Sequence, residues 1–150
     1  MRKTFAGLAI LLVLVVVAQF YFAAAGGFST DPDRSAYRPH HALGYVIFTL
    51  PLVMAAVAAL ARLPRRLVGL PVLTAGLTSV QVLLGSLARG LGDGADSSTA
   101  GEIVFGLHGI TGLAVLALAG LIARLSWTLS AAPARPVAAA PDRRPVQQGR

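Results

Sequence analysis

Three histidines are the only strong metal-binding nitrogens in this cysteine-free chain, and two of them stand in the same local frame. His40-His41-Ala42-Leu43-Gly44 and His108-Gly109-Ile110-Thr111-Gly112 are both H-x-x-x-G, and each opens a long apolar segment. Neutral imidazole is the commonest metal ligand, and residues four apart on a helix share a face. Each histidine therefore looks along its helix at a residue with no side chain. That combination suits a flat iron-bearing ligand: His40 and His108 as axial ligands of one haem b, with Gly44 and Gly112 leaving a gap for the porphyrin. His41 is the competing ligand in the first frame. One residue along rotates about 100° around the helix, so only one of the pair can face inward; the matched glycine spacing favours His40. The alternative is a structural role for both frames near a membrane interface, where a histidine is cheap.

The other polar residues in apolar surroundings are few. Gln19 and Gln81 read as interhelical hydrogen bonds of about 0.6 kcal/mol, with contact to a haem propionate or a substrate as the alternative. Arg34, Arg38 and Arg89 either pair with propionates or remain solvated. The absence of cysteine excludes disulfides, thiolate metal sites and covalent haem attachment through C-x-x-C-H. There is no G-x-S-x-G, P-loop or H-E-x-x-H pattern, so the common hydrolase and nucleotide-binding signatures are missing. A transporter would carry more mid-membrane polar residues than two glutamines.

The elements that position these residues are plain hydrocarbon. Of 150 residues, 55% are hydrophobic and 13% charged, against about a quarter charged in soluble domains; the mean hydropathy is +0.71. The net charge of +7 does not indicate nucleic acid, because the basic residues lie between the apolar runs and not in one patch. Four apolar stretches, residues 5–25, 41–61, 67–88 and 103–125, each have the roughly 20 residues that a bilayer core demands. They predict an all-α integral membrane four-helix bundle over residues 1–129, followed by a disordered cytoplasmic tail over 130–150. Gly76, Gly85, Gly106, Gly109, Gly112 and Gly120 suit close helix packing, and Pro51 and Pro71 would kink helices two and three.

Charge sets the orientation. Arg2, Lys3, Arg62, Arg65, Arg66, Arg124, Arg135, Arg143, Arg144 and Arg150 fall on one side, and only Arg34, Arg38 and Arg89 on the other, with Asp31, Asp33, Asp93, Asp96 and Glu102. The positive-inside rule then puts both termini in the cytoplasm and both histidine frames toward the outer face of the plasma membrane. The first segment is too long for the apolar core of a signal peptide, about 7–15 residues, and reads as a span. The lipid bilayer is the expected partner, with a homodimer or a membrane redox partner as further options.

Between the spans, the loop at 26–39 is turn-rich, and Pro39 fits the first turn of a helix. The connection 62–66 is short enough to make helices two and three an antiparallel hairpin. Thr99-Ala-Gly-Glu102 reads as a capping box for helix four. A repeat runs through the chain: a Gln near the end of helix one (Gln19) and of helix three (Gln81), each followed after a loop by an H-x-x-x-G. It implies a pseudo-two-fold axis along the membrane normal. Depth argues against the histidine pair. His40 lies 22 residues before Arg62 and His108 only 16 before Arg124, a mismatch of about 9 Å at 1.5 Å per residue. Extending helix four to Trp127 removes half of it.

The run Thr78-Ser-Val-Gln-Val-Leu-Leu-Gly85, a loop and then Leu107-His108 resembles helices three and four in one half of the haem A synthases. Those are two fused four-helix bundles, each with one histidine near the outer end of its second helix and another in its fourth. His40, Gly44 and His108 match those positions. The chain resembles still more the small actinobacterial four-helix membrane proteins of unknown function, which share a helix-one Gln, H-x-x-L-G-Y (here His40 to Tyr45) and L-H-x-x-x-G. The likeness covers about residues 5–125. With one bundle and no acidic residue in helix one, it implies a haem-binding half-bundle and not synthase activity.

Overall fold

The computed structural model describes residues 1–30, 35–92 and 98–131. Four long helices follow one another: α1 Arg2–Phe28, α2 Arg38–Leu60 (entered through a 3-10 turn, Ser35–Tyr37), α3 Arg65–Gly90 and α4 Thr99–Ala131. Each packs against its two neighbours in a closed ring, so α1 and α3, and likewise α2 and α4, lie across the diagonals. The result is the all-α four-helix bundle expected, in up-down-up-down order. Arg62–Arg66 mark one end of it, and the two H-x-x-x-G frames the other.

What joins the helices is a stripe on each, spaced alternately four and three residues. On α1 it runs Phe5, Ala9, Leu12, Val16, Gln19; on α2, His40, Gly44, Ile47, Pro51, Met54, Ala58. On α3 it runs Leu67, Pro71, Thr74, Thr78, Gln81, Gly85; on α4, His108, Gly112, Val115, Ala119, Ile122, Ser126. The apolar members form the buried core. An average spacing of 3.5 residues is the seam of a left-handed bundle. The two histidines, two glutamines and three glycines are thus the last members of the same stripes that build the core.

Polar groups sit inside and hydrocarbon outside. The hydroxyls of buried Thr74, Thr78 and Ser126 donate to the carbonyls of Leu70, Thr74 and Ile122 at 2.9, 2.9 and 2.8 Å, so each is satisfied within its own helix. Leu14, Val53, Leu73, Leu83, Ile110 and Leu113 point outward, all more than half exposed. All four helices are long and apolar enough, by length and composition, to cross a membrane.

Helix ends differ from expectation in two places. α4 begins at Thr99 and runs to Ala131, beyond the 103–125 expected at both ends, and includes Ser130 and Ala131 of the expected tail. Its cap is Ser98 and not Thr99. The Gly101 amide donates to Ser98 Oγ at 3.0 Å and the Glu102 amide to the Ser98 carbonyl at 2.9 Å; N3 is then Gly101, which has no side chain to reach back, so the expected Thr99–Glu102 capping box gives way to a single serine cap. The tail beyond Ala131, with Arg135, Arg143, Arg144 and Arg150, lies outside the described residues, as do Asp31, Asp33, Arg34, Asp93 and Asp96.

At the end of α2, Leu63 donates to the Ala58 carbonyl (2.9 Å) and Arg62 to that of Ala59 (3.0 Å). This double bond pattern needs a left-handed residue, and Arg62 supplies it with φ 51°. At the opposite end the Tyr37 ring lies flat on Gly26: a Cβ there would sit 2.8 Å from the ring.

Candidate functional site

Because α2 and α4 are diagonal, their inner stripes meet on the bundle axis. His40 and His108 face one another there, ring centroids 6.4 Å apart and planes tilted by 49°. Both are half-buried, whereas His41 is exposed on the outside of α2. The expected depth mismatch is absent. With α4 running to Ala131 and α2 ending at Leu60, the histidines stand 23 and 20 residues from the opposite helix ends.

The repeat reappears as hydrogen bonding. His40 Nδ1–H donates to the main-chain carbonyl of Gln19 at 3.2 Å, and His108 Nδ1–H to that of Gln81 at 2.9 Å. A carbonyl can only accept, so each bond fixes the proton on Nδ1 and, in the neutral ring, leaves the lone pair on Nε2. Each glycine of the two frames stands beside the matching glutamine amide. A Cβ at Gly44 would lie 3.8 Å from Gln19 Nε2, and one at Gly112 only 2.9 Å from Gln81 Nε2 and 3.4 Å from the Phe20 ring. The two sequence frames are thus two structural units, each a histidine tied to a glutamine backbone over a glycine.

The units are not identical. Thr111 donates to Gln81 Oε1 at 3.0 Å, but the corresponding position in the first unit is Leu43. Gln19 Oε1 is accordingly the buried side-chain acceptor left without a partner among the described residues. The Gln19 amide nitrogen instead approaches His40 Nε2, at 3.4 Å. His108 has closer ring contacts: Phe105 stacks on it nearly parallel, centroids 5.5 Å apart, and a Cβ at Gly85 would touch the ring at 3.5 Å. His40 meets Tyr37 and His41 edge-on, ring centroids 6.3 and 5.9 Å apart.

Cations border the site. Arg89 lies beside His108, its Nη1 3.6 Å from where a Gly85 Cβ would be, and donates to Ser86 Oγ at 3.2 Å. Arg38 lines a shallow depression at the bundle surface with Tyr37, His41 and Tyr45. Among the described residues, no three His, Asp or Glu side chains gather into a metal-binding group.

Residues 19–88 match a family of unknown function, DUF6220. The matched segment is just under half of the chain; it begins at Gln19, includes His40, Gly44 and Gln81, and ends before His108. No curated protein and no solved structure matches the chain. These comparisons supply no link to the haem A synthases.

Sequence reasoning named both histidines, both glycines and both glutamines. It missed Phe20, Phe105, Thr111 and the glutamine carbonyls. Thr111 was readable, being one helical turn from His108 and so on the same face. The carbonyls were not, since main-chain acceptors leave no mark in a sequence.

Proposed function

We propose that this bundle holds one b-type haem between α2 and α4, with His40 and His108 as axial ligands, and serves electron transfer or haem handling in a membrane. The observation that supports it most is the imidazole pair on the axis. Two imidazoles binding one metal through nitrogens about 2.0–2.1 Å away have ring centres roughly 6 Å apart, close to the 6.4 Å separation here. Each Nδ1–H is anchored on a carbonyl, which is how metal-binding histidines fix their tautomer and aim Nε2. The number of donors also fits. A bare zinc ion takes four ligands, whereas haem brings its own four nitrogens and asks the protein for two.

When bound, haem supplies one-electron chemistry whose potential its axial ligands help to set. The chain's own residues bind and orient. His40 and His108 ligate, the Gln19 and Gln81 carbonyls hold the rings, and Gly44 and Gly112 leave space once the glutamine amides and Phe20 swing aside. Arg89, beside His108, and Arg38, at the bundle surface, would be the cations available to carboxylate groups at the haem edge. α1 contains no acidic residue, and a synthase activity is not part of this reading. The arginine distribution supports a plasma-membrane protein with both termini cytoplasmic. A membrane redox partner or a second copy would complete its work in the bilayer.

A second reading is a cofactor-free structural or accessory bundle. It is favoured by the way Gln81 and Phe20 already fill the space beside Gly112. A reduced-minus-oxidised absorption spectrum of the detergent-purified protein separates the two. The haem reading expects Soret and α bands in the wild type that vanish in His108→Ala. A colourless preparation from haem-replete cells contradicts it.

A further inference from the structure

The two histidines are held unequally, and we propose that His108 is the permanent iron ligand while His40 is an exchangeable one, which a small iron-binding molecule can displace. This rests on the haem reading above. Three observations carry it. His108 Nδ1 has the shorter anchor, 2.9 Å against 3.2 Å for His40, and its ring stacks on Phe105 and lies against Gly85.

Second, the helical context differs. His108 lies nine residues inside α4, after two full turns that begin at the Ser98 cap. His40 is only five residues into the helical segment that begins with the 3-10 turn at Ser35 and continues as α2, and the N-cap of α2, Tyr37, makes no side-chain hydrogen bond. Terminal turns open at lower free energy than helix interiors, so the His40 ring can leave with its turn while His108 stays.

Third, the Gln19 amide is already a competitor for the lone pair. It reaches His40 Nε2 at 3.4 Å, so a detached His40 has a resting partner, and Gln19 Oε1 is a buried acceptor without a partner among the described residues. No equivalent contact to His108 Nε2 occurs among the described residues. The ligand class that follows is a diatomic or similarly small neutral molecule with affinity for ferrous iron. It enters on the His40 side, where Gly44 offers room: a Cβ there would meet only Gln19 Nε2 at 3.8 Å.

The test uses the full-length, haem-loaded protein in detergent, with carbon monoxide as the probe. Dithionite-reduced wild type should bind it with a saturable shift of the Soret band. His40→Ala should keep its haem and bind carbon monoxide at least tenfold faster, because no side chain has to leave first. His108→Ala should lose the haem. Gln19→Leu, which keeps both ligands but removes the resting partner of His40, should slow carbon monoxide binding and serves if His40→Ala does not fold. Reduced haem in the wild type that refuses carbon monoxide overturns this inference and leaves the haem reading intact. So does haem lost from His40→Ala as completely as from His108→Ala. A wild type that takes up no haem at all overturns both.

Discussion

Replacing the two frame glycines by alanine should act in opposite directions, although they occupy equivalent positions in the repeat. At Gly44 the new Cβ would lie 3.8 Å from Gln19 Nε2 and meet nothing else, an ordinary contact. Removing a helix-interior glycine then contributes up to about 1 kcal/mol of stability. At Gly112 the Cβ would lie 2.9 Å from Gln81 Nε2 and 3.4 Å from Phe20 Cζ. The Gln81 amide must retreat by about half an ångström and strain its bond from Thr111. Gln81 Nε2 is the free end of a flexible side chain, so overpacking stays at the low end, about 1 kcal/mol; with a lost interhelical bond of about 0.6 kcal/mol it outweighs the glycine gain of about 1 kcal/mol by roughly 0.5 kcal/mol. The variants should therefore differ by about 1.5 kcal/mol, close to tenfold in the unfolding equilibrium. Reversible unfolding in mixed micelles with rising dodecyl sulfate, followed by circular dichroism, reads this directly. Equal midpoints, or Gly44→Ala the weaker of the two, would refute the packing described around Gly112.

Two further substitutions probe the helix ends. Ser98→Ala removes the hydroxyl that caps α4 at Gly101 and donates to the Leu91 carbonyl at the end of α3 and should cost about 1 kcal/mol or slightly more, seen as a lower unfolding midpoint and faster amide exchange in the first turn of α4. Arg62→Gly relieves a left-handed residue with φ 51° and should gain about 1 kcal/mol or slightly more, measured in the same titration; no gain would mean that the Arg62 side chain makes contacts that offset the strain.

The fold was legible because its signal is length. Four runs of about twenty apolar residues leave a bundle as the economical arrangement, and the short 62–66 connection fixed one antiparallel pair. α4 was read too short because its first turn is written in Thr, Gly and Glu and its last in Ser126, Thr128 and Ser130. The hydroxyls of these last three turn back on their own helix, to the carbonyls of Ile122, Leu125 and Trp127, so polarity there did not end the helix. That error produced the apparent depth mismatch between His40 and His108, and their opposition on the axis follows once the true ends are used. The 4-3 stripes were also present in the sequence, but apolar residues on every face hid them; a helix surrounded by lipid gives little amphipathic contrast. The inequality of the two histidines was beyond sequence reasoning, since it depends on which carbonyl, ring and amide each imidazole meets.

The claim on which the account turns is that His40 and His108 together hold one iron. Electron paramagnetic resonance of the oxidised, haem-loaded protein tests it most directly. The account predicts one haem per chain with a low-spin ferric signal, converted to high spin in His40→Ala and absent with the haem in His108→Ala. A protein that takes up no haem, or a low-spin signal that survives both substitutions, would contradict it.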